Sequence, residues 1–418
     1  MQRTLIVMAP VQIIGFCLAI TAFELLTYMA SDMIMPAMLT VTGEFNADTR
    51  HVANAFNLYL IGGVCLQWLI GPLSDRYGRR RLLLLGCALF GLACSAAVVT
   101  QRIEAFNALR LIQGMGLGFV VAVSYPTLQE VFCEADAVRL MALLGNVALL
   151  SPLLGPLLGS LLLEWLSWRQ MFLGLAATSV VVWLGLFAWM PETIGVVRRD
   201  GQRQAPAAFS LRQIGLGYFA LLHNRKFIGA SLALGLMSLP LIAWIGLAPV
   251  LLMQRLELSA LEYGLWQIPV FAAVILGNLL LDRLLIGHTL AQVIGLALWP
   301  FCLGLLGLIA AALSSAALPL AVCALAVYAL GLGMSNAALY RLALFSSDAG
   351  KGLVSAMIGM LSIAVMGCGG SLIAVIGGGS SLQSFSLLAG LGGLLCLPLL
   401  YRLLRHSPHP PHINKDIR

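Results

Sequence analysis

Apolar residues fill this chain in runs long enough to cross a lipid bilayer, which takes about 20 residues of helix, and the runs recur from one end to the other. Span cores are expected near residues 11–38, 51–72, 82–100, 105–128, 137–162, 169–190, 227–253, 261–286, 290–313, 317–344, 352–376 and 383–404. That pattern specifies an all-α polytopic membrane protein with 12 transmembrane helices. Composition agrees: 60% of the 418 residues are hydrophobic and 10% are charged, against about 25% charged in a soluble domain. No soluble core hides so much apolar surface, so lipid is the solvent. The 43 glycines suit membrane helices, where small residues let backbones approach.

The first apolar run, from about Leu5 to Met38, is too long for the hydrophobic part of a cleaved signal and is followed by further spans. An even number of spans puts both termini on one side. If that side is cytoplasmic, nineteen of the 24 lysines and arginines face the cytoplasm, four (Arg50, Arg102, Arg169 and Arg255) face outward, and Arg110 falls inside a span. The positive-inside rule then sets both termini on the cytoplasmic side, and the expected location is multi-pass in the inner, cytoplasmic membrane. Basic residues confined to short loops also remove nucleic acid as the reason for the +7 net charge.

Nine cysteines lie scattered through apolar segments with no C-x-x-C spacing. They are expected to be small buried hydrophobes, with no disulfide framework and no metal site. The histidines of His406-Ser-Pro-His409-Pro-Pro-His412 belong to an expected disordered tail, and Gly377-Gly-Gly-Ser-Ser to a flexible outer loop. Nothing resembles a nucleotide-binding loop or a nucleophile–base pair, so neither an enzyme, a bound cofactor nor an ATP-driven pump is indicated.

The longest polar stretch, 192–226, opens with Pro191-Glu192-Thr193 and divides the chain. The expected parts are a six-helix half at 1–191, a central cytoplasmic loop at 192–226, a second six-helix half at 227–404 and a cytoplasmic tail at 405–418. A faint repeat supports two pseudo-symmetric halves. Gly71-Pro-Leu-Ser-Asp75-Arg76 follows the second span, and Asn278-Leu-Leu-Leu-Asp282-Arg283 ends the eighth.

Three ionisable residues fall well inside spans, away from their ends: Glu24 and Asp32 in the first and Arg110 in the fourth. A charge at the bilayer centre costs roughly 2.5–3.5 kcal/mol, so such residues face a cavity or each other. An ion pair that merely glues helices would also satisfy them, but two acids share one cation, which leaves an acid free to exchange a proton. Glu24, Tyr28 and Asp32 stand four apart, so each step turns about 40° and the three form one stripe. Glu24 is expected near mid-depth and Asp32 nearer the outer side. Which acid feels Arg110 more stays open at this point.

Four motifs resemble those of the major facilitator superfamily. In the loop expected after span two, Gly71-Pro72-Leu73-Ser74-Asp75-Arg76-Tyr77-Gly78-Arg79-Arg80-Arg81 resembles its G-x-L-x-D-R-x-G-R-R signature, a tight turn that glycine permits, carrying charge. In span four, Arg110-Leu-Ile-Gln113-Gly114-Met-Gly116 resembles the R-x-x-Q-G-x-G motif of proton-coupled members. In span five, Ser151-Pro152-Leu-Leu-Gly155-Pro156-Leu-Leu-Gly159-Ser160 resembles the antiporter signature G-P-x-x-G, with serine at two positions where glycine is common. Proline there kinks the helix and glycine permits close packing. Span one carries Asp32-Met-Ile-Met-Pro36-Ala37-Met38-Leu39, similar to the D-x-x-x-P-A-L motif of 12-span drug:proton antiporters.

More narrowly, the chain resembles the MdfA-type multidrug antiporters through stretches such as Glu24-Leu-Leu-Thr-Tyr28, Tyr59-Leu-Ile-Gly-Gly, Leu239-Pro240-Leu-Ile-Ala-Trp244, Tyr263-Gly-Leu-Trp-Gln267-Ile-Pro269 and Leu342-Ala-Leu-Phe345-Ser-Ser-Asp348. That resemblance implies a monomeric exporter of small lipophilic drug-like molecules, cationic and neutral, driven by the proton gradient. It implies that Glu24 and Asp32 serve substrate and proton, with Arg110 in the relay. It places Tyr28, Ser31, Ala148, Leu149 and Leu239 near the drug pocket, and Trp244 is a further cavity candidate. Gly71, Asp75, Arg76, Gly78 and Arg79 would form a latch in which the aspartate caps a neighbouring helix and pairs with arginine. Pro152, Gly155, Pro156 and Gly159 would set antiport. Ser31 stands where relatives are expected to carry an amide, and Arg81 where they carry proline.

The expected cycle is alternating access, two halves rocking around a central site. Other readings are exchange of Na⁺ or K⁺ for protons in alkaline tolerance, and export of a sugar or metabolite. Sugars need many hydrogen-bonding groups, and these spans are poor in Asn and Gln. A non-transporting membrane sensor or scaffold would not depend on Glu24 or Asp32.

Overall fold

The computed structural model describes residues 4–199, 201, 203, 205–206, 210–285, 288–314, 317–347 and 351–405. Its long helices are α1 (Pro10–Glu44), α2 (Arg50–Tyr77), α3 (Arg79–Val98), α4 (Ile103–Val131), α5 (Glu134–Leu163), α6 (Trp168–Trp189), α7 (Arg225–Arg255), α8 (Ala260–Leu284), α9 (Leu290–Ala312), α10 (Ala317–Leu344), α11 (Leu353–Gly378) and α12 (Leu382–Arg405). Eleven of these are long and apolar enough to cross a bilayer. The other, α5, has 30 residues with Pro152 and Pro156 inside it.

Helix starts follow local chemistry. Ser167/Gln170, Ser259/Glu262 and Thr289/Gln292 form reciprocal capping boxes at α6, α8 and α9, each satisfying backbone N–H groups that have no partner inside the helix. Asn224 caps α7 by accepting from the Lys226 and Phe227 N–H groups, both at 3.1 Å. Prolines loosen the helices elsewhere. Pro36 lies in a 3-10 turn inside α1, and Pro126 and Pro249 adjoin π-helical turns in α4 and α7.

Two expectations are corrected here. The stretch Gly71–Tyr77 is not a loop: α2 continues through it, and the connection to α3 is Gly78 alone, at φ 105°. The central stretch is not wholly a loop either, because Leu211–His223 is a helix. Gly377–Ser381 makes a tight connection, with Gly377 at φ 110° and Ser381 capping α12. Of the cysteines, all free, Cys87, Cys94 and Cys396 are buried, while Cys323 and Cys368 are exposed on the bundle surface. Asp348 and the histidine-containing tail lie outside the described residues.

Buried apolar side chains form two cores, one mainly from α1–α6 that also takes in Ile245, Val250 and Phe271, the other mainly from α7–α12 that also takes in Ala53, and the two halves are built alike. α2 crosses α4 at Gly62 and Gly114, where an added Cβ would strike the Leu111 and Tyr59 carbonyl oxygens. α8 crosses α10 at Gly277 and Gly333, against the Leu330 and Val274 carbonyls. Small residues permit both approaches, and the pairing of second with fourth helix recurs in each half. The Asp75-Arg76 and Asp282-Arg283 pairs both fall in the last turn of that second helix. Between halves, α2 meets α11 and α5 meets α8. Asn57 Nδ2 donates to Ser371 Oγ at 2.9 Å, and a Cβ on Gly264 would stand 3.1 Å from Leu157 Cα.

Candidate functional site

The site grows from a break in α1. Pro36 has no N–H and its ring crowds the preceding turn, so regular α-helix stops at Asp32 and resumes at Met38. Two backbone carbonyls just before the break are taken by a side chain from α4. Arg110 Nη1 donates to Ala30 O at 3.0 Å, and Nη2 to Ser31 O at 3.5 Å. Nη1 also donates to Gln113 Oε1 at 2.9 Å, and the Tyr59 ring centroid lies 4.5 Å from the guanidinium carbon. Gln113 is itself held by the Ala93 carbonyl at 3.3 Å, and the Tyr59 hydroxyl by the Thr27 carbonyl. A fully buried guanidinium is thus wrapped in carbonyl dipoles and an aromatic face.

Asp32 sits at the edge of this break, 4% exposed. Its Oδ2 accepts from Ser151 Oγ at 2.9 Å, and it lies within the field of Arg110. The span-five motif packs directly against it. A Cβ on Gly155 would stand 2.6 Å from Asp32 Cβ, and one on Gly159 would strike the Met33 carbonyl and lie 3.0 Å from Pro36 Cγ. Two motifs some 120 residues apart in sequence are therefore one structural unit. Pro152 and Pro156 lie in the same α5 segment. Ser151, which departs from the signature, donates to the carboxylate.

Glu24, two turns away, is fully buried and not bonded to Arg110. Its Oε1 accepts from the Tyr125 hydroxyl at 3.1 Å, while Oε2 has no hydrogen-bond partner among the described residues. Tyr28 stands between the acids and couples electrostatically to both. Ser31 is buried beside them. Sequence reasoning missed Tyr125, one polar residue on another helix with no local signature, and read Ser151 only as a departure from the span-five motif.

In the second half, Leu239 packs against Gly369 and Gly392, and Trp244 is fully buried, its indole donating to Gln267 Oε1 at 2.8 Å. The side chains of Ala148 and Leu149 lie outside those described.

A second cluster closes the α2–α3 connection. Asp75 pairs with Arg79 at 2.5 Å across the Gly78 turn, while the neighbouring Arg76 lies over the adjacent Tyr77 ring at 5.6 Å. Arg79 also pairs with Glu130 of α4 at 2.8 Å and donates to Ser74 Oγ at 2.5 Å. Thr193 donates to Glu130. Glu192 Oε1 accepts the Arg79 N–H at 2.9 Å and so caps α3, where the helix dipole favours an anion. A side chain on Gly78 would collide with that carboxylate. Gly71, earlier on α2, has open space around it. The N-terminal segment joins the cluster: Leu5 N–H donates to Val131 O at 2.7 Å and Arg199 N–H to Leu5 O at 2.8 Å.

Comparison with known proteins places these features. Residues 20–351 match the family model of the Major Facilitator Superfamily. The chain is 42% identical over 394 residues to the multidrug transporter MdfA of Edwardsiella ictaluri, covering 93% of each. It is 42% identical over 397 residues to the multidrug transporter MdfA of Escherichia coli O157:H7, covering 94% of each. Among solved structures, a D-xylose-proton symporter superposes with TM-score 0.75 at 16% identity, covering 94% of this chain and 98% of that one. A bacterial homologue of the human lysosomal transporter Spinster superposes with TM-score 0.73 at 12% identity, covering 96% and 98%. At such identities these structures speak for the fold alone.

Proposed function

The chain belongs to the Major Facilitator Superfamily, and from that premise we propose that it is a multidrug efflux transporter, not an enzyme, exchanging protons for lipophilic cationic and neutral molecules across the cytoplasmic membrane. The observation that carries the reading is Asp32: a carboxylate buried at a proline-induced helix break, facing the antiporter motif of α5 and within the field of a caged arginine. Both termini face the cytoplasm, the protein acts as a monomer, and the proton gradient takes the place of a cofactor.

The residues divide the work. Ser151 can donate to an ionised Asp32 and accept from a protonated one, so it partners both states. Arg110 keeps its carbonyl ligands throughout and lends a fixed positive field. Protonation from outside cancels the Asp32 charge and changes how α1 holds α5, which biases the halves toward the inward-facing arrangement. A lipophilic molecule enters among Tyr28, Ser31, Ala148, Leu149, Leu239 and Trp244, and the proton leaves to the cytoplasm. A cationic substrate competes for carboxylate oxygen, with Glu24 Oε2 open to it. A neutral one acts only through differential affinity for the two arrangements. The cluster of Asp75, Arg79, Glu130 and Glu192 latches the cytoplasmic end.

Efflux in energised membrane vesicles, with one cationic and one neutral compound, tests this. Asp32→Asn is expected to lose at least tenfold in transport of both. Glu24→Gln is expected to lose about tenfold for the cation and less than twofold for the neutral compound. One charge moved through 100 mV is worth about 2.3 kcal/mol, so neutral-drug export should respond to voltage as well as to pH. Neutral-drug export indifferent to both gradients, or full activity in both variants, would overturn the scheme.

A further inference from the structure

We infer that Gln267 is a substrate-recognition residue, presenting a hydrogen-bond donor from the second half to neutral, acceptor-bearing substrates; this rests on the multidrug reading above.

The amide is oriented by chemistry alone. An indole N–H only donates, so the atom of Gln267 that meets Trp244 at 2.8 Å must be Oε1. The Nε2 group therefore points away from Trp244. It is buried, the residue being 1% exposed, and has no hydrogen-bond partner among the described residues. A buried donor without a partner bears its full desolvation cost; Oε1 answers the Trp244 indole, and no described residue answers Nε2. Trp244 is pinned in turn against Phe385, with ring centroids 5.5 Å apart, so the amide does not rotate to hide its donor.

Position points to the shared chamber. Gln267 stands one helical turn from Tyr263 on α8, so both lie on one face. Tyr263 is within electrostatic range of Asp32. The same helix touches the Met35–Ala37 turn of α1 and packs on α5 through Gly264. Gln267 thus lies on the second-half face that looks toward the acid site. It complements that site: the first half offers carboxylate oxygens, which attract cations, and Gln267 offers N–H, which attracts carbonyl, nitro or ether oxygen on uncharged molecules.

Equilibrium binding and vesicle efflux of tetraphenylphosphonium, which has no acceptor, and of a neutral nitroaromatic amide, which has several, provide the test. Gln267→Met, similar in size and unable to donate, is expected to raise the Kd for the amide about tenfold and lower its efflux, while the cation changes at most twofold. Trp244→Phe, which frees Oε1 and lets the amide turn, is expected to weaken the neutral compound severalfold and serves if the methionine variant fails to reach the membrane. Equal losses for both compounds would make Gln267 a structural or gating residue and overturn the inference, as would unchanged binding of the amide. Failure of the unaltered protein to bind or export either compound would instead refute the multidrug reading.

Discussion

The two halves of the molecule repeat one backbone design with opposite interiors. The first buries Glu24, Asp32, Arg79, Arg110 and Glu130. In the second, among the described residues, the buried polar set is Ser231, Gln267, Ser335, Ser362 and Ser386, with no charge in it. Yet α2 crosses α4 and α8 crosses α10 through the same device of glycine against carbonyl. Among the described residues, the second six-helix half therefore forms without buried charge. Five ionisable groups in the first half cannot be explained as what the fold requires, and their cost is tied to function.

That contrast can be broken experimentally. The largest effect is expected at the latch. Glu130→Gln removes the buried carboxylate from Arg79, and breaking a buried pair from one side costs about 3–5 kcal/mol. Because Asp75 still faces Arg79, the lower end of that range is expected, read as a fall in thermal unfolding temperature in detergent; an unchanged temperature would make the cluster ornamental. Next comes packing at the α1 break. Gly159→Ala drives a methyl into the Met33 carbonyl, and overpacking of this kind costs about 1–3 kcal/mol. Gly295→Ala in α9 meets nothing within 4 Å and should be neutral or slightly stabilising, since helix glycine is worse than alanine by roughly 0.5–1 kcal/mol. Equal destabilisation in both would erase the contrast. The smallest effect is expected for Ser151→Ala, a severalfold loss of drug-dependent proton release with folding intact. Ser335→Ala, whose hydroxyl bonds only within its own helix at 2.8 Å to Gly331 O, should leave that release unaltered.

The spans and the intramembrane charges were legible in the sequence because length and hydropathy are local properties. So was the proline after Asp32. What escaped was anything decided between helices. The end of α2 reads as a loop because Gly71, Pro72, Asp75 and Arg76 all favour turns, yet α2 keeps its helical hydrogen bonds to Tyr77, and Gly78 at φ 105° makes the turn by itself. Asp75 pairs with Arg79 and not with the adjacent arginine, because the turn at Gly78 folds the first residue of α3 back onto the end of α2. Leu211–His223 sits in the longest polar stretch, where its apolar face is diluted by charged neighbours. Ser151 looked like a lapse from a motif and is the hydroxyl on the key carboxylate. Asp32, not Glu24, feels Arg110, because the side chain from α4 reaches the α1 break at Ala30 and Ser31.

The backbone pairing of Leu5 with Val131 and Arg199 has a practical consequence. It stitches the chain's first residues and the start of the interhalf connector onto a single helix end. Arg203 folds back on the same seam, bridging to Val197 and donating to the Gly195 carbonyl, so the tether left for a swing of the second half is shorter than the polar stretch implies. A bulky fusion ahead of Thr4 would lever against this seam, so reporter proteins and affinity handles belong after Arg405.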